Sequence, residues 1–329
     1  MTRNRFITAT IAASLLSLST WASAQDLKLS HVRPQGSTAD NDVRALVADI
    51  GKNSALKVEV FPANALGDYT VVQERIAVGA IDMALQPAAA AGNRRMQLGV
   101  FPYLANDWEE ARKAFGKGSA LRDAMEEMFE QQDIKVLAAY PVYFGGIALN
   151  KAPVAPEDPQ AAKGLKLRVP PIKSFQLTGN ALGYISTPLP FSEAFTAVQT
   201  GVVDGVLGSG AEGYYASFRD VTKYYLAANT HFEVWYLLMN AEKYSGLDAA
   251  SRSALDQASA RFETGRWSKA EADQVENEKK LEEAGAKIIR PSKEALAAHA
   301  QRVRSEVWPE IIKDVGEGFA KPILDKLAR

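Results

Sequence analysis

The sequence predicts an α/β fold of two lobes braced by one long helix, and three observations carry that reading. From Asp26 to Leu85, stretches of period-two alternation are interleaved with stretches of helical period. This β-α-β-α-β order makes a sheet covered by helices. Gly79-Ala-Ile-Asp82-Met-Ala-Leu85 returns as Gly201-Val-Val-Asp204-Gly-Val-Leu207, each time after an amphipathic helix. Each half of the chain therefore holds a similar unit. From Asp248 to about Ala284 the residues are rich in Ala, Glu and Lys, with Gly265 as the one interruption. At about 1.5 Å per residue, such a helix is long enough to brace two lobes.

The 329 residues suit two domains or lobes, and 47 % hydrophobic with 23 % charged residues is ordinary globular composition. A formal net charge of −1 without a long basic run argues against a nucleic-acid partner or a polybasic membrane patch. Cysteine is absent, which removes disulfides, thiolate metal sites and cysteine nucleophiles. Arg3 and Arg5, the short apolar run from Phe6 to Leu18 and the Ala22-Ser23-Ala24 site read as a signal peptide over residues 1–24. The mature chain is then expected to begin at Gln25, without a lipid anchor, as an exported soluble protein of the periplasm.

In order, Asp26–His31 alternates as a first strand. Ser37 or Thr38 caps a helix to about Asn53, with Val43, Leu46, Val47 and Ile50 on one face. Leu56–Phe61 is a second strand stopped by Pro62, Thr70–Val78 a helix ended by Gly79, and Ile81–Leu85 a third strand. An alanine-rich loop leads to one helix from about Trp108 to Gln132, then to strands at Ile134–Ala139 and Tyr143–Leu149. The proline-rich run Lys151–Pro159 reads as an exposed connection between lobes. Leu165, Leu167 and Val169 alternate with Lys166 and Arg168 as a strand closed by Pro170 and Pro171. Strands near Tyr224–Ala228 and Phe232–Met239 precede the long helix. A short strand at Ala286–Arg290 and helices broken near Pro309, Gly316 and Pro322 close the chain. The expected lobes are 25–148 plus about 236–270, and 149–235 plus about 271–329, with the helix 248–284 spanning both.

Enzyme signatures are scarce. His31, His231 and His299 lack the spacing of a zinc helix. Leu207 stands where a nucleophile elbow needs glycine, and Gly205-Val-Leu-Gly208-Ser209-Gly210 has the glycine order of a dinucleotide loop reversed. No cofactor and no metal is expected. What stands out is Arg168 at the carboxyl end of a strand, where open α/β sheets form ligand crevices. Four glycines between Gly205 and Gly213 let the backbone approach a bound molecule closely. Glu212, Tyr214, Tyr215 and Phe218 follow, and these aromatics fit equally a helix face packed on the core.

The runs GLKLRVP and PLPFSEAFTAVQTGVVDG, with FPANALGDY, GAIDM, FPYL and Thr230-His231 in order around them, resemble the DctP-type solute-binding receptors of TRAP transporters. The resemblance covers nearly all of the mature chain. It implies a two-lobed periplasmic binding protein that closes around an organic acid and delivers it to membrane permease subunits. Arg168 falls on the family arginine that pairs with the ligand carboxylate, a role suited to its planar fork. Phe191 falls where an aromatic ring packs on the ligand. Sialic-acid-binding members carry a second basic residue roughly where Gly145 stands, many members an asparagine at Gly208, and polar contacts where this chain has Pro87 and alanines. Substitutes are expected from Glu212, Tyr214, His31, Tyr69, Ser209 and the strand His231-Phe-Glu233-Val-Trp235. That set favours a ligand with a ring, an amine or a bound cation beside its acid group. The rival readings are a ligand sensor feeding a signalling receptor, and an exported enzyme using Glu212 and Glu233 as acid and base.

Overall fold

A computed structural model describes residues 26–327, so the expected signal peptide lies outside the described residues. The opening β-α-β-α-β unit is β1 (Asp26–His31), α1 (Thr38–Asn53), β2 (Lys57–Phe61), α2 (Tyr69–Ala77) and β3 (Met83–Gln86). Ser37 caps α1, its hydroxyl accepting from Asp40 N, and Asp68 caps α2 by accepting from Thr70 N. A 3-10 turn at Arg94–Val100, not foreseen in the sequence, leads to α3 (Trp108–Phe115) and α4 (Ala120–Glu130). The single helix expected over 108–132 is thus two. Gly118 adopts a left-handed φ of 82°, and Ser119 caps a fresh helix.

Next come β4 (Ile134–Phe144) and β5 (Gly146–Leu149). Here β4 runs straight through Pro141, where a break was expected. Pro141 is tolerated because β4 is the edge of its sheet, where a missing N–H donor leaves no ladder partner stranded. The chain continues as β6 (Lys166–Val169), α5 (Lys173–Ala181), β7 (Ile185–Pro188), α6 (Phe191–Gln199), β8 (Gly205–Ser209), α7 (Ala211–Phe218) and β9 (Tyr224–Leu226). It closes with β10 (Phe232–Asn240), α8 (Ala241–Ser245), α9 (Ala249–Glu283), β11 (Lys287–Ile289), α10 (Lys293–Glu306), α11 (Trp308–Val315) and α12 (Glu317–Leu327).

Two sheets result, ordered β2-β1-β3-β10-β4 and β11-β9-β5-β8-β6-β7. Strand for strand, β2-β1-β3 matches β7-β6-β8, and each trio is all parallel. Each then receives an antiparallel strand, β10 or β5, from a crossing segment. The repeated motif does the same work in both. Gly79 and Gly201 end their helices at φ 72° and 78°. Asp82 accepts from Lys28 N at 2.7 Å and Asp204 from Lys166 N at 2.9 Å, so each carboxylate secures the start of the central parallel strand.

The chain leaves the first sheet at Gly145 and re-enters it at Phe232. The two crossings hold each other, with Gly145 N donating to His231 O and Thr230 N to Gly145 O, both at 2.8 Å. The proline-rich run at 151–159 lies between β5 and β6 of the same sheet, so it does not join lobes. Helix α9 packs on α1 and β4 on one side and on α7 and β11 on the other. At 35 residues it is about 50 Å long. It also serves the β4 edge: Glu263 accepts from Ala139 N and Gln274 from Phe144 N, both at 2.8 Å, while Arg266 donates to Pro141 O at 2.7 Å. Helices α11 and α12 return to the 3-10 turn and α4 beside the first sheet, so not all of 271–329 belongs with the second.

Candidate functional site

Between the sheets lies a narrow cavity of about 30 Å³, at the carboxyl ends of the parallel strands. From the first sheet it is walled by Val32 and Arg33 just past β1, Tyr69, Pro87-Ala88 past β3, and Glu233 and Trp235 on β10. From the second come Arg168 on β6, Pro170, Phe175 on α5, Phe191 at the start of α6, and Gly208-Ser209 on β8.

Arg168 is 1 % exposed. Its Nε donates to Leu189 O at 2.9 Å, while Nη2 has no partner among the described residues, and no carboxylate lies within ion-pair distance. Burial pushes its pKa below the usual guanidinium range. A buried unmatched cation is costly, by several kcal/mol, unless an anion joins it. Its Cζ lies 5.7 Å from the Phe191 ring centroid, which leaves that ring beside whatever occupies the cavity.

Arg33, equally buried, is the residue that sequence reasoning missed. Its signal was nonetheless present, because His31-Val-Arg33-Pro34 ends β1 much as Arg168-Val-Pro170 ends β6. Arg33 Nε donates to Glu212 at 2.8 Å, and its Cζ lies 4.6 Å from the Trp235 ring and 5.4 Å from Phe191. Burial works against its charge as it does for Arg168, but Glu212 and Tyr143 together outweigh it and the pKa is raised. Gly213 stands beside this pair because a Cβ there would overlap Arg33 Nη2 and meet Ser209 Oγ at 2.8 Å.

Of the residues singled out in the sequence, Arg168, Phe191, Tyr69, Ser209 and Trp235 meet in the wall. Ser209 Oγ accepts from Tyr143 OH at 3.3 Å, and Trp235 Nε1 donates to Glu233 at 3.1 Å. Glu233 also takes His231 Nε2 at 3.1 Å, and His231 Nδ1 is 3.0 Å from Thr230 Oγ1. Glu212 stands behind Arg33 rather than in the wall. Two expectations are corrected. The Tyr214 hydroxyl is consumed in the core, donating between Gly146 O at 2.9 Å and Val206 O at 2.8 Å and accepting from Ser209 N. His31 turns from the cavity to Asp40 at 3.1 Å, where burial lowers its pKa.

The two glycine departures are also explained. A Cβ at 145 would overlap the His231 ring, and one at 208 would lie 2.6 Å from Pro170, with Gly208 at a φ of 108°. Among the described residues no cluster of three His, Cys, Asp or Glu side chains is placed to hold a metal ion, and no helix is long and apolar enough to cross a membrane.

A deep anion-seeking cavity between two alike sheets, crossed by paired strands and braced by one helix, defines a two-lobed solute receptor. The chain belongs to the DctP family, bacterial extracellular solute-binding protein family 7, whose pattern matches residues 29–314. It is 28 % identical to a solute-binding protein of Albidiferax ferrireducens, over 94 % of each chain. It is also 28 % identical to the C4-dicarboxylate-binding periplasmic protein DctP of Rhodobacter capsulatus, over 98 % of this chain and 96 % of that one. Among solved structures, the sugar acid binding protein of Advenella mimigardefordensis in complex with galactonate superposes with a TM-score of 0.84 at 20 % identity, covering 93 % and 98 % of the two chains. A Bordetella pertussis extracytoplasmic solute receptor binding pyroglutamic acid gives 0.82 at 22 %, covering 93 % and 100 %. The family consists of periplasmic receptors, and the chain is placed in that compartment with them.

Proposed function

We propose that this chain captures a small organic acid in the periplasm, with the ligand carboxylate paired to Arg168, and delivers it to the membrane subunits of a TRAP-type transporter. The observation that carries the reading is Arg168 itself, buried between the lobes with an unmatched charge and a free Nη2. A carboxylate satisfies both through two parallel charge-assisted hydrogen bonds, strengthened by the exclusion of water. Phe191, Tyr69 and Trp235 offer flat surface to a ring, and Ser209 offers a hydroxyl. The relatives point the same way: they are named for a C4-dicarboxylate, galactonate and pyroglutamic acid.

The receptor reading is preferred to catalysis because Glu212 and Glu233, the candidate acid and base, are each engaged by fixed partners. Native mass spectrometry of the purified protein identifies the acid it carries. Arg168→Ala is expected to weaken binding of that acid by roughly 3 kcal/mol or more, about 100-fold, while leaving the fold intact. Unchanged affinity by calorimetry in a folded Arg168→Ala protein would refute the role.

A further inference from the structure

We propose that the Arg33–Glu212 pair makes this cavity selective for acids with one carboxylate and an apolar body. The inference rests on Arg168 as the carboxylate partner. Arg33 and Arg168 both flank the Phe191 ring, with their Cζ atoms 5.4 Å and 5.7 Å from its centroid. They therefore lie within about 11 Å of each other, close enough to suggest a clamp for two carboxylates. The surroundings of Arg33 argue otherwise. Its charge is already matched by Glu212 at 2.8 Å through Nε, so although its Nη2 is unpartnered among the described residues like that of Arg168, it carries no unmatched charge. Side-chain exposures of 1 % and 3 % place the pair away from water. A second ligand carboxylate brought to Arg33 would confront Glu212 across a volume that water does not screen. Glu233 adds another buried carboxylate to the same wall.

Arg33 lies past β1 and Glu212 opens α7, so the matched pair joins the two halves of the molecule across the closed cleft. Arg168 is left as the cation that still needs an anion. The remaining wall keeps the hydroxyls of Tyr69 and Ser209 but is otherwise apolar, with Pro87, Ala88, Val100, Pro170, Ile172 and Phe175. Tyr143 and Trp235 already direct their donors to Ser209 and Glu233.

The test uses two isosteric pairs in which an isopropyl group replaces one carboxylate: 4-methylpentanoate against succinate, and 4-isopropylbenzoate against terephthalate. Calorimetry on the chain freed of bound ligand is expected to show at least one monocarboxylate binding tenfold or more tighter than its dicarboxylate. Glu212→Gln leaves the Arg33 charge unmatched, and should move that ratio tenfold or more toward the dicarboxylate. A dicarboxylate preferred by the natural protein, binding by none of the four acids, or a ratio unmoved in a folded Glu212→Gln protein overturns the inference. Should that variant not fold, the comparison on the natural protein decides. A dicarboxylate that the natural protein prefers and that Arg168→Ala no longer binds overturns the selectivity and leaves the Arg168 reading standing. Binding that survives Arg168→Ala overturns the reading itself.

Discussion

At position 145 a side chain would run into the His231 ring, and that ring holds Glu233 in the cavity wall. Gly145→Ala is therefore expected to cost about 1–3 kcal/mol through overpacking, and to weaken ligand binding as His231 is displaced. Thermal melts and calorimetry read the two effects. Gly51 in α1 is the counter-case: space there is open, so Gly51→Ala should raise stability by about 0.5–1 kcal/mol without touching affinity. A loss of stability at 51 or none at 145 would contradict the packing argument. Such detail bounds what sequence reveals at this scale. Arg168 was legible because a strand and two prolines fixed where its side chain must end. Arg33 repeats the signal less cleanly, with its proline directly after it, and its partner Glu212 is 179 residues away. Nothing in the run Gly210–Phe218 tells that Tyr214 points its hydroxyl into the core while Glu212 turns to Arg33 behind the cavity wall.

Among the elements, α2 and α6 share one cap. Asp68 accepts from Thr70 N through one carboxylate oxygen and from Ser192 N through the other, each at 3.2 Å. Helix α6 begins at Pro190, which offers no side-chain acceptor, so the first half of the molecule caps a helix of the second. The shared cap exists only when the halves are together. Asp68→Ser keeps one oxygen for α2 and loses the reach to Ser192. It is expected to retain the melting temperature and to weaken ligand binding by about 0.5–1.5 kcal/mol. Asp68→Ala should lose that affinity and, in addition, about 1 kcal/mol of stability. Equal affinity in Asp68→Ser and the natural protein would remove the latch. Element existence was largely legible, since periodicity and capping residues mark β1, α1 and α9 within a residue or two. The misread pieces depended on neighbours: β4 passes Pro141 because α9 covers that edge, and the 108–132 stretch breaks at a glycine whose φ sequence alone does not fix.

Over the whole molecule, the internal repeat was the most informative sequence feature, because Asp82 and Asp204 do the same work in both sheets. The exchange of β5 and β10 between the halves was not legible, since a crossing strand carries the same apolar run as a resident one. One property belongs to the molecule as a unit, its stability toward acid. Burial lowers the pKa of His31 and of His299, each from an ordinary 6.5. In the unfolded chain both bind a proton near pH 6.5, whereas in the folded chain they do so only at lower pH. Below 6.5 the unfolded state therefore holds more protons, and stability falls as the pH falls through that window. Asp40, Asp204 and Asp314 are lowered from 3.8 by their hydrogen bonds and cationic neighbours against the opposing effect of burial, and they lose their contribution in a second window beneath that value. Melting temperature should thus be nearly flat between about pH 7 and 9, decline from about 6.5, and drop again below about 4. Besides burial, the charge of Lys163 lowers the His299 pKa while Asp158 and Glu157 oppose the shift, and its Nδ1 has no partner among the described residues. His299→Gln removes one titrating group and should shallow the first decline while leaving the second in place. Parallel melting curves for the two proteins between pH 7 and 5 would show that His299 does not carry it.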